Sequence, residues 1–122
     1  MPSFSSSEIL ILTAAASGVL WIILMRRRGR PGLSRDGILA LKRQGALVLD
    51  VRTMEEFQQG HLKGSLNVPL GSLGRRMGEL RKDRAILTVC VSGVRSRMAC
   101  RQLLKAGFRD VHNAGPWRVL ED

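Results

Sequence analysis

Residues 9–25, ILILTAAASGVLWIILM, form a run of 17 without a single charged side chain. That is the short end of the roughly 17–25 residues a membrane-spanning helix needs. It is also too long and too evenly apolar for an ordinary amphipathic surface helix. Trp21 lies near one end, where an indole sits well at headgroup level, and Arg26, Arg27, Arg28 and Arg30 follow at once. A cleaved signal peptide would carry its positive charge before the apolar run and small residues after it. Here the preceding MPSFSSSE has no basic side chain, and the alanines 14–16 fall mid-run. The pattern predicts a short tail (1–8), a single transmembrane helix (9–25) and a basic juxtamembrane linker (26–33) broken by Gly29, Pro31 and Gly32. Basic flanks stay in the cytoplasm, so the N-terminus is expected outside and residues 34–122 inside as one domain.

The chain has 122 residues, with 20 Lys and Arg against 10 Asp and Glu. Such a balance raises nucleic acid as a partner, but the charge is unevenly placed. All the basic residues lie after residue 25, and five of them fall within 26–35, which holds no acid. Their position against an apolar run, without interleaved aromatic rings, marks a topology and lipid-headgroup signal rather than a nucleic-acid footprint. Two cysteines and two isolated histidines are too few for a disulfide scaffold or a four-ligand zinc site. No metal and no cofactor are expected.

Beyond the linker, short apolar runs alternate with helical segments. Ser34 can cap a helix over 35–43 that Gly45 ends. Residues 46–51 (ALVLDV) have strand length, and Thr53 can cap a helical turn over 54–59. Residues 61–69 look irregular, 72–80 helical, 85–89 (AILTV) like a buried strand, 96–106 helical and 110–113 like a final strand. This alternation predicts a parallel α/β sheet flanked by helices, with ligands beyond the carboxyl ends of the strands. Two such ends carry chemistry: Asp50-Val51-Arg52 and Cys90.

Cys90-Val91-Ser92-Gly93-Val94-Arg95-Ser96 places a thiol between a buried strand and a helix start. Backbone N–H groups of a tight loop form an anion-binding nest. The helix N-terminus adds partial positive charge that favours thiolate. Arg95 adds a fixed cation, and Gly93 gives the loop freedom to curl. A buried strand-end thiol of no chemical consequence is the bland alternative, and cysteine, glycine and arginine in this order speak against it. Cys100, within the following helix and without a loop around it, reads as core packing, with a resolving thiol as the alternative.

The sequence resembles the rhodanese-like sulfurtransferases in three stretches. Asp50-Val51-Arg52 followed by Glu56-Phe57 is similar to the family's Asp-Val-Arg…Glu-Phe/Tyr segment. Gly60-His61-Leu62…Gly64-Ser65…Asn67-Val68-Pro69 resembles its Gly-His-Ile…Gly-Ala…Asn-Ile-Pro signature, and the 90–96 segment resembles its Cys-x-x-Gly-x-Arg-Ser active-site loop. The resemblance covers about residues 33–117. It implies ping-pong transfer of a sulfane sulfur from a small anionic donor such as thiosulfate, through a Cys90 persulfide, to a thiol or cyanide acceptor. It further implies that residues 91–96 bind the donor and cradle the persulfide, with Asp50 and Arg52 organising the loop. Glu56 is expected to pair locally and His61 to be structural, since an activated thiolate needs no separate base.

Rival readings are a phosphatase relative, a non-catalytic interaction module and a protein-specific sulfur carrier. Phosphatases of this fold have a Cys-to-Arg loop one residue longer, and the six residues from Cys90 to Arg95 have the sulfurtransferase length. Two departures stand out. The closing Asn113-Ala114-Gly115-Pro116-Trp117 has Pro116 in place of a second glycine, and only five residues follow it, which puts the cover of one sheet face in question. Val91 and Val94 also make the loop rim more apolar than a highly charged donor would favour.

Overall fold

Four strands, β1 (Leu47–Asp50), β2 (Leu66–Asn67), β3 (Ile86–Cys90) and β4 (Val111–Pro116), pair in parallel in the order β2-β1-β3-β4. The computed structural model describes residue 3, residues 5–27 and residues 32–122. They belong to two compact units, Met1–Pro31 and Gly32–Asp122. β3 lies between two partners and every one of its residues is buried, as expected of an uninterrupted apolar run inside a parallel sheet.

Side-chain alternation along the strands assembles two cores. On one face Leu49, Ile86 and Cys90 pack with Ala99 and Leu103 of α5 (Val94–Lys105) and with Leu73 and Phe108. On the other, Val48, Leu87 and Val89 pack with Ile38 of α2 (Arg35–Arg43) and with Leu62, Trp117 and Leu120. The residues after β4 therefore do cover this sheet face. They do so with one 3-10 turn, Trp117–Leu120, instead of a full helix. The guanidinium carbons of Arg52 and Arg118 lie 4.6 and 4.5 Å from the Trp117 ring centroid, within cation–π range.

Local signals placed most element ends. Ser34 caps α2 by accepting from the Gly37 N–H at 3.2 Å, and Gly45 follows with φ +95°, the left-handed conformation that ends a helix cheaply only at glycine. The helix α3 (Met54–Gln58) has a capping box: Thr53 Oγ1 accepts from Glu56 N–H, and Glu56 Oε1 accepts from Thr53 N–H. Elsewhere the structure departs from expectation. The helix expected over 72–80 is broken into the 3-10 turn Leu70–Ser72, a single α-turn α4 (Leu73–Arg76) and the 3-10 turn Met77–Glu79. Gly71, Gly74 and Gly78 recur there, and each disfavours continuous helix by about 1 kcal/mol relative to alanine. The irregular 61–69 segment contributes β2, and the helix expected to open at Ser96 opens at Val94.

The first unit contains α1 (Ser6–Arg27), which takes in the apolar run. Leu10, Ile11 and Trp21 are each more than 60% exposed. Thr13 and Ser17 turn their hydroxyls back onto backbone carbonyls of the preceding turn, so they leave no free donor on the helix surface. No helix among the described residues is long and apolar enough to cross a membrane, so the spanning helix expected over 9–25 is not found. The centre of the run, Thr-Ala-Ala-Ala-Ser-Gly at 13–18, is small and weakly apolar and dilutes the strongly apolar ends. Much of the expected basic linker, from Arg28 to Pro31, lies outside the described residues.

Because Trp117 is buried against that sheet face, Trp117→Ala is expected to cost about 3–5 kcal/mol of stability, measured by urea unfolding. A loss below about 1 kcal/mol would show that the turn contributes little to that face.

Candidate active site

The carboxyl end of β3 delivers Cys90 directly beneath the first turn of α5. Gly93 makes the bend at φ +97°, a left-handed backbone angle that calls for glycine, with the Gly115 Cα 3.4 Å from where a Cβ would sit. The bend turns the Gly93 N–H back onto Cys90 Sγ at 2.9 Å. The first-turn N–H groups of α5 have no partners within the helix and open on the same side. Ser96, in that turn, is fully buried, with its Oγ 3.4 Å from the Cys90 sulfur.

Cys90 is itself fully buried. Burial pushes its pKa up. Hydrogen bonds to the thiolate, from the Ser96 hydroxyl once its proton turns to the sulfur and from the backbone N–H groups of Ser96, Gly93 and Ser92, outweigh it and hold the thiol below its ordinary value. Cys100 shows the opposite balance. Burial pushes its pKa up, its Sγ lies 3.6 Å from the Val111 carbonyl oxygen, and it packs against the α5-side core. Of the two free cysteines, only Cys90 has its pKa held below the ordinary value.

The remaining loop residues divide by orientation. Val91, Ser92 and Val94 face outward, with Val91 54% and Val94 63% exposed, so the rim is apolar. Arg95 points back toward α3, where its Nη1 and Nη2 donate to Glu56 Oε1 and Oε2 at 2.7 and 2.9 Å. This forked pair commits both terminal nitrogens of the loop's cation. It holds the Glu56 carboxyl at a pKa of about 2, with the Thr53 N–H adding to the effect. Glu56 was expected only to pair locally, and it does so at the Thr53 N–H; nothing in the sequence signalled its reach across to α5.

Asp50 and Arg52 form a second, deeper pair, 1% and 4% exposed. Arg52 Nε lies 3.0 Å from both carboxylate oxygens of Asp50, and its Nη2 lies 2.8 Å from Oδ2. The same guanidinium donates to the carbonyls of Glu56 and Gly60 at 3.3 and 2.8 Å. Asn67 Nδ2 closes the turn from the β2 side by donating to the carbonyls of Asp50 and Arg52. Neither Asp50 nor Arg52 reaches the rim. His61 is exposed, with Nδ1 2.8 Å from the Phe57 carbonyl oxygen and its ring stacked on Phe57 at 3.7 Å. Asn113, which the sequence placed at the end of the final strand and in the closing motif, touches both Ser96 and Gly93.

A family model for the Rhodanese-like domain matches residues 35–114, which takes in the whole sheet up to the middle of β4, and the chain belongs to that family. It is 42% identical over 69 residues to YrkF of Bacillus subtilis, a proposed sulfur carrier protein, covering 57% of this chain and 37% of that one. It is 32% identical over 66 residues to the thiosulfate sulfurtransferase GlpE of Shewanella oneidensis, covering 54% of this chain and 65% of that one. Among solved structures it is similar to a rhodanese with anions from E. coli, at 30% identity and a TM-score of 0.58, covering 62% of this chain and 91% of the other. The chain thus spans only part of the length of both curated relatives.

The Glu56 pair has a defined pH dependence. Its folded pKa lies below the ordinary carboxylate value, so its stabilisation is complete above about pH 4.5 and is lost as pH falls toward about 2. Urea unfolding of wild type and Glu56→Gln is expected to show a gap at pH 7 that narrows at pH 3. A gap that widens on acidification would contradict the pairing.

Proposed function

We propose that the chain is a sulfurtransferase that carries a sulfane sulfur as a persulfide on Cys90. The observation that supports this best is the placement of a fully buried sulfur, with its pKa held down, under the Gly93 N–H and the first turn of α5. The Cys90 thiolate attacks the outer sulfur of a donor such as thiosulfate. A new S–S bond forms, the donor's S–S bond breaks, and sulfite leaves with the bonding pair. The loop N–H groups that favour the thiolate also suit the charge of the bound persulfide. An acceptor thiolate, or cyanide in an assay, then takes the outer sulfur and returns Cys90 to thiolate.

In this reading residues 91–96 bind by their backbone, and Arg95 supports the loop through Glu56. Direct binding of a donor anion by Arg95 would require it to leave that carboxylate. Asp50 and Arg52 hold the 53–60 segment that carries Glu56. The exposed Val91 and Val94 favour a second reading of the same chemistry, in which the acceptor thiol belongs to a protein and the chain acts as a carrier. The loop length from Cys90 to Arg95 supports sulfur over phosphorus as the transferred element.

Exposure to thiosulfate followed by intact-mass measurement is expected to add one sulfur atom. The adduct should vanish in Cys90→Ser and survive in Cys100→Ser. A chain that gains no sulfur from any donor would overturn the proposal, and rapid loading without turnover to small thiols or cyanide would establish the carrier.

The proposal also places the domain at a membrane, on its cytoplasmic side, attached through residues 9–25. What supports it is the uncharged run itself, the exposed apolar side chains of α1 and the arginines that follow. Full-length protein is expected to sediment with membranes, and a chain lacking residues 1–31 is expected to stay in the supernatant. Recovery of both in the supernatant would refute attachment, and periplasmic labelling of an added C-terminal cysteine would refute the orientation.

A further inference from the structure

The side-chain amide of Asn113 has its orientation dictated by its neighbours. Its Oδ1 lies 3.0 Å from the Gly115 N–H, which can only donate, and its Nδ2 lies 3.3 Å from the Gly93 carbonyl oxygen, which can only accept. One orientation of the amide satisfies both. Ser96 Oγ lies 2.6 Å from that same Oδ1, an oxygen with no proton to give. Ser96 is therefore the donor of this bond, and a hydroxyl has one proton. Toward Cys90 Sγ, 3.4 Å away, Ser96 has only lone pairs left, so there it accepts from the thiol S–H. Cys90 and Ser96 are both fully buried, so bulk solvent does not compete for the hydroxyl proton. Thr88 steadies the arrangement by donating to the Ser96 carbonyl at 2.8 Å.

We propose that Asn113 is a positioning residue for the chemistry at Cys90: by holding the Ser96 proton it keeps that hydroxyl an acceptor toward the sulfur, and so sets how readily the thiol ionises. Two opposed contacts then meet at one atom. The Gly93 N–H favours thiolate, while the Ser96 oxygen, as oriented, favours thiol. When the thiol proton leaves to solvent, the charged sulfur faces an oxygen lone pair until the Ser96 hydroxyl rotates off Asn113 and donates to it. Asn113 and the thiolate thus compete for a single proton. The charged groups around the site are Arg95, paired with Glu56, and Asp50, paired with Arg52 on the neighbouring strand end; both pairs are closed and neither includes Asn113.

This inference rests on Cys90 being the reacting thiol, but its test reads ionisation and not sulfur transfer. The rate of iodoacetamide alkylation at Cys90, resolved by peptide mass, is followed against pH in the full chain. Wild type is compared with Asn113→Ala, Ser96→Ala and the double variant, each checked for fold by circular dichroism. Freed from Asn113, the hydroxyl turns to the thiolate, and the midpoint in Asn113→Ala is expected to fall by about one pH unit, roughly a tenfold gain in thiolate below the midpoint. The double variant is expected to match Ser96→Ala, because the effect travels through the hydroxyl. A midpoint unmoved or raised in Asn113→Ala, or an equal fall in the double variant relative to Ser96→Ala, would overturn the proposal. If Asn113→Ala does not fold, Asn113→Leu, of similar size and without the amide, takes its place in the same comparison. A midpoint lowered in Asn113→Leu but not lowered further when added to Ser96→Ala supports the assignment, and an unmoved or raised midpoint overturns it.

Discussion

The buried pair of Asp50 and Arg52 is the interaction on which the site depends. A charged pair taken out of water is tolerated only when further hydrogen bonds complete it. Arg52 meets that need by reaching the carbonyls of Glu56 and Gly60 and lying over Trp117. Those contacts tie three parts of the domain to the end of β1: the α3 turn, the segment after it and the closing C-terminal turn. Glu56, positioned in this way, reaches Arg95 and anchors the start of α5. The order of dependence runs from a buried carboxylate to a guanidinium, then to a short helix, and finally to the loop over Cys90.

The site separates holding from reacting. Its fixed charges are spent on one another, Asp50 on Arg52 and Glu56 on Arg95. What faces the sulfur is neutral and directional: backbone N–H groups, one hydroxyl and, behind it, one amide. Backbone donors at a helix start suit the proposed alternation of Cys90 between thiol, thiolate and persulfide, because they are already aligned and need little rearrangement as its charge changes. The apolar rim formed by Val91 and Val94 is consistent with this division, since no free cation of the loop faces outward for a donor anion.

Much of this was legible along the chain because it depends on local rules. The strand core at 47–50, the cap at Ser34, the turn at Gly93 and the order of cysteine, glycine and arginine are all signalled by neighbours within a few residues. The broken 70–79 region was less legible, since glycine spacing competes with apolar spacing and burial of Leu73 and Leu80 decides the outcome. The α1 run was read by length and absence of charge. Its weakly apolar centre kept the structure from bearing out a spanning helix.

The sequence by itself determined the class of fold and pointed to Cys90 as the thiol of the proposed chemistry, because hydrophobic period, glycine conformation and a loop of set length act locally. It could not determine who partners whom. Glu56 and Arg95 are 39 residues apart, and Ser96 and Asn113 are 17 apart. Only the parallel register that sets β4 beside β3 and the packing of α3 toward α5 bring them together. The composition shows a surplus of cations, yet the cation of the loop is neutralised by its partner. Tertiary structure decided this because a hydrogen bond depends on distance and direction, which the order of residues does not contain.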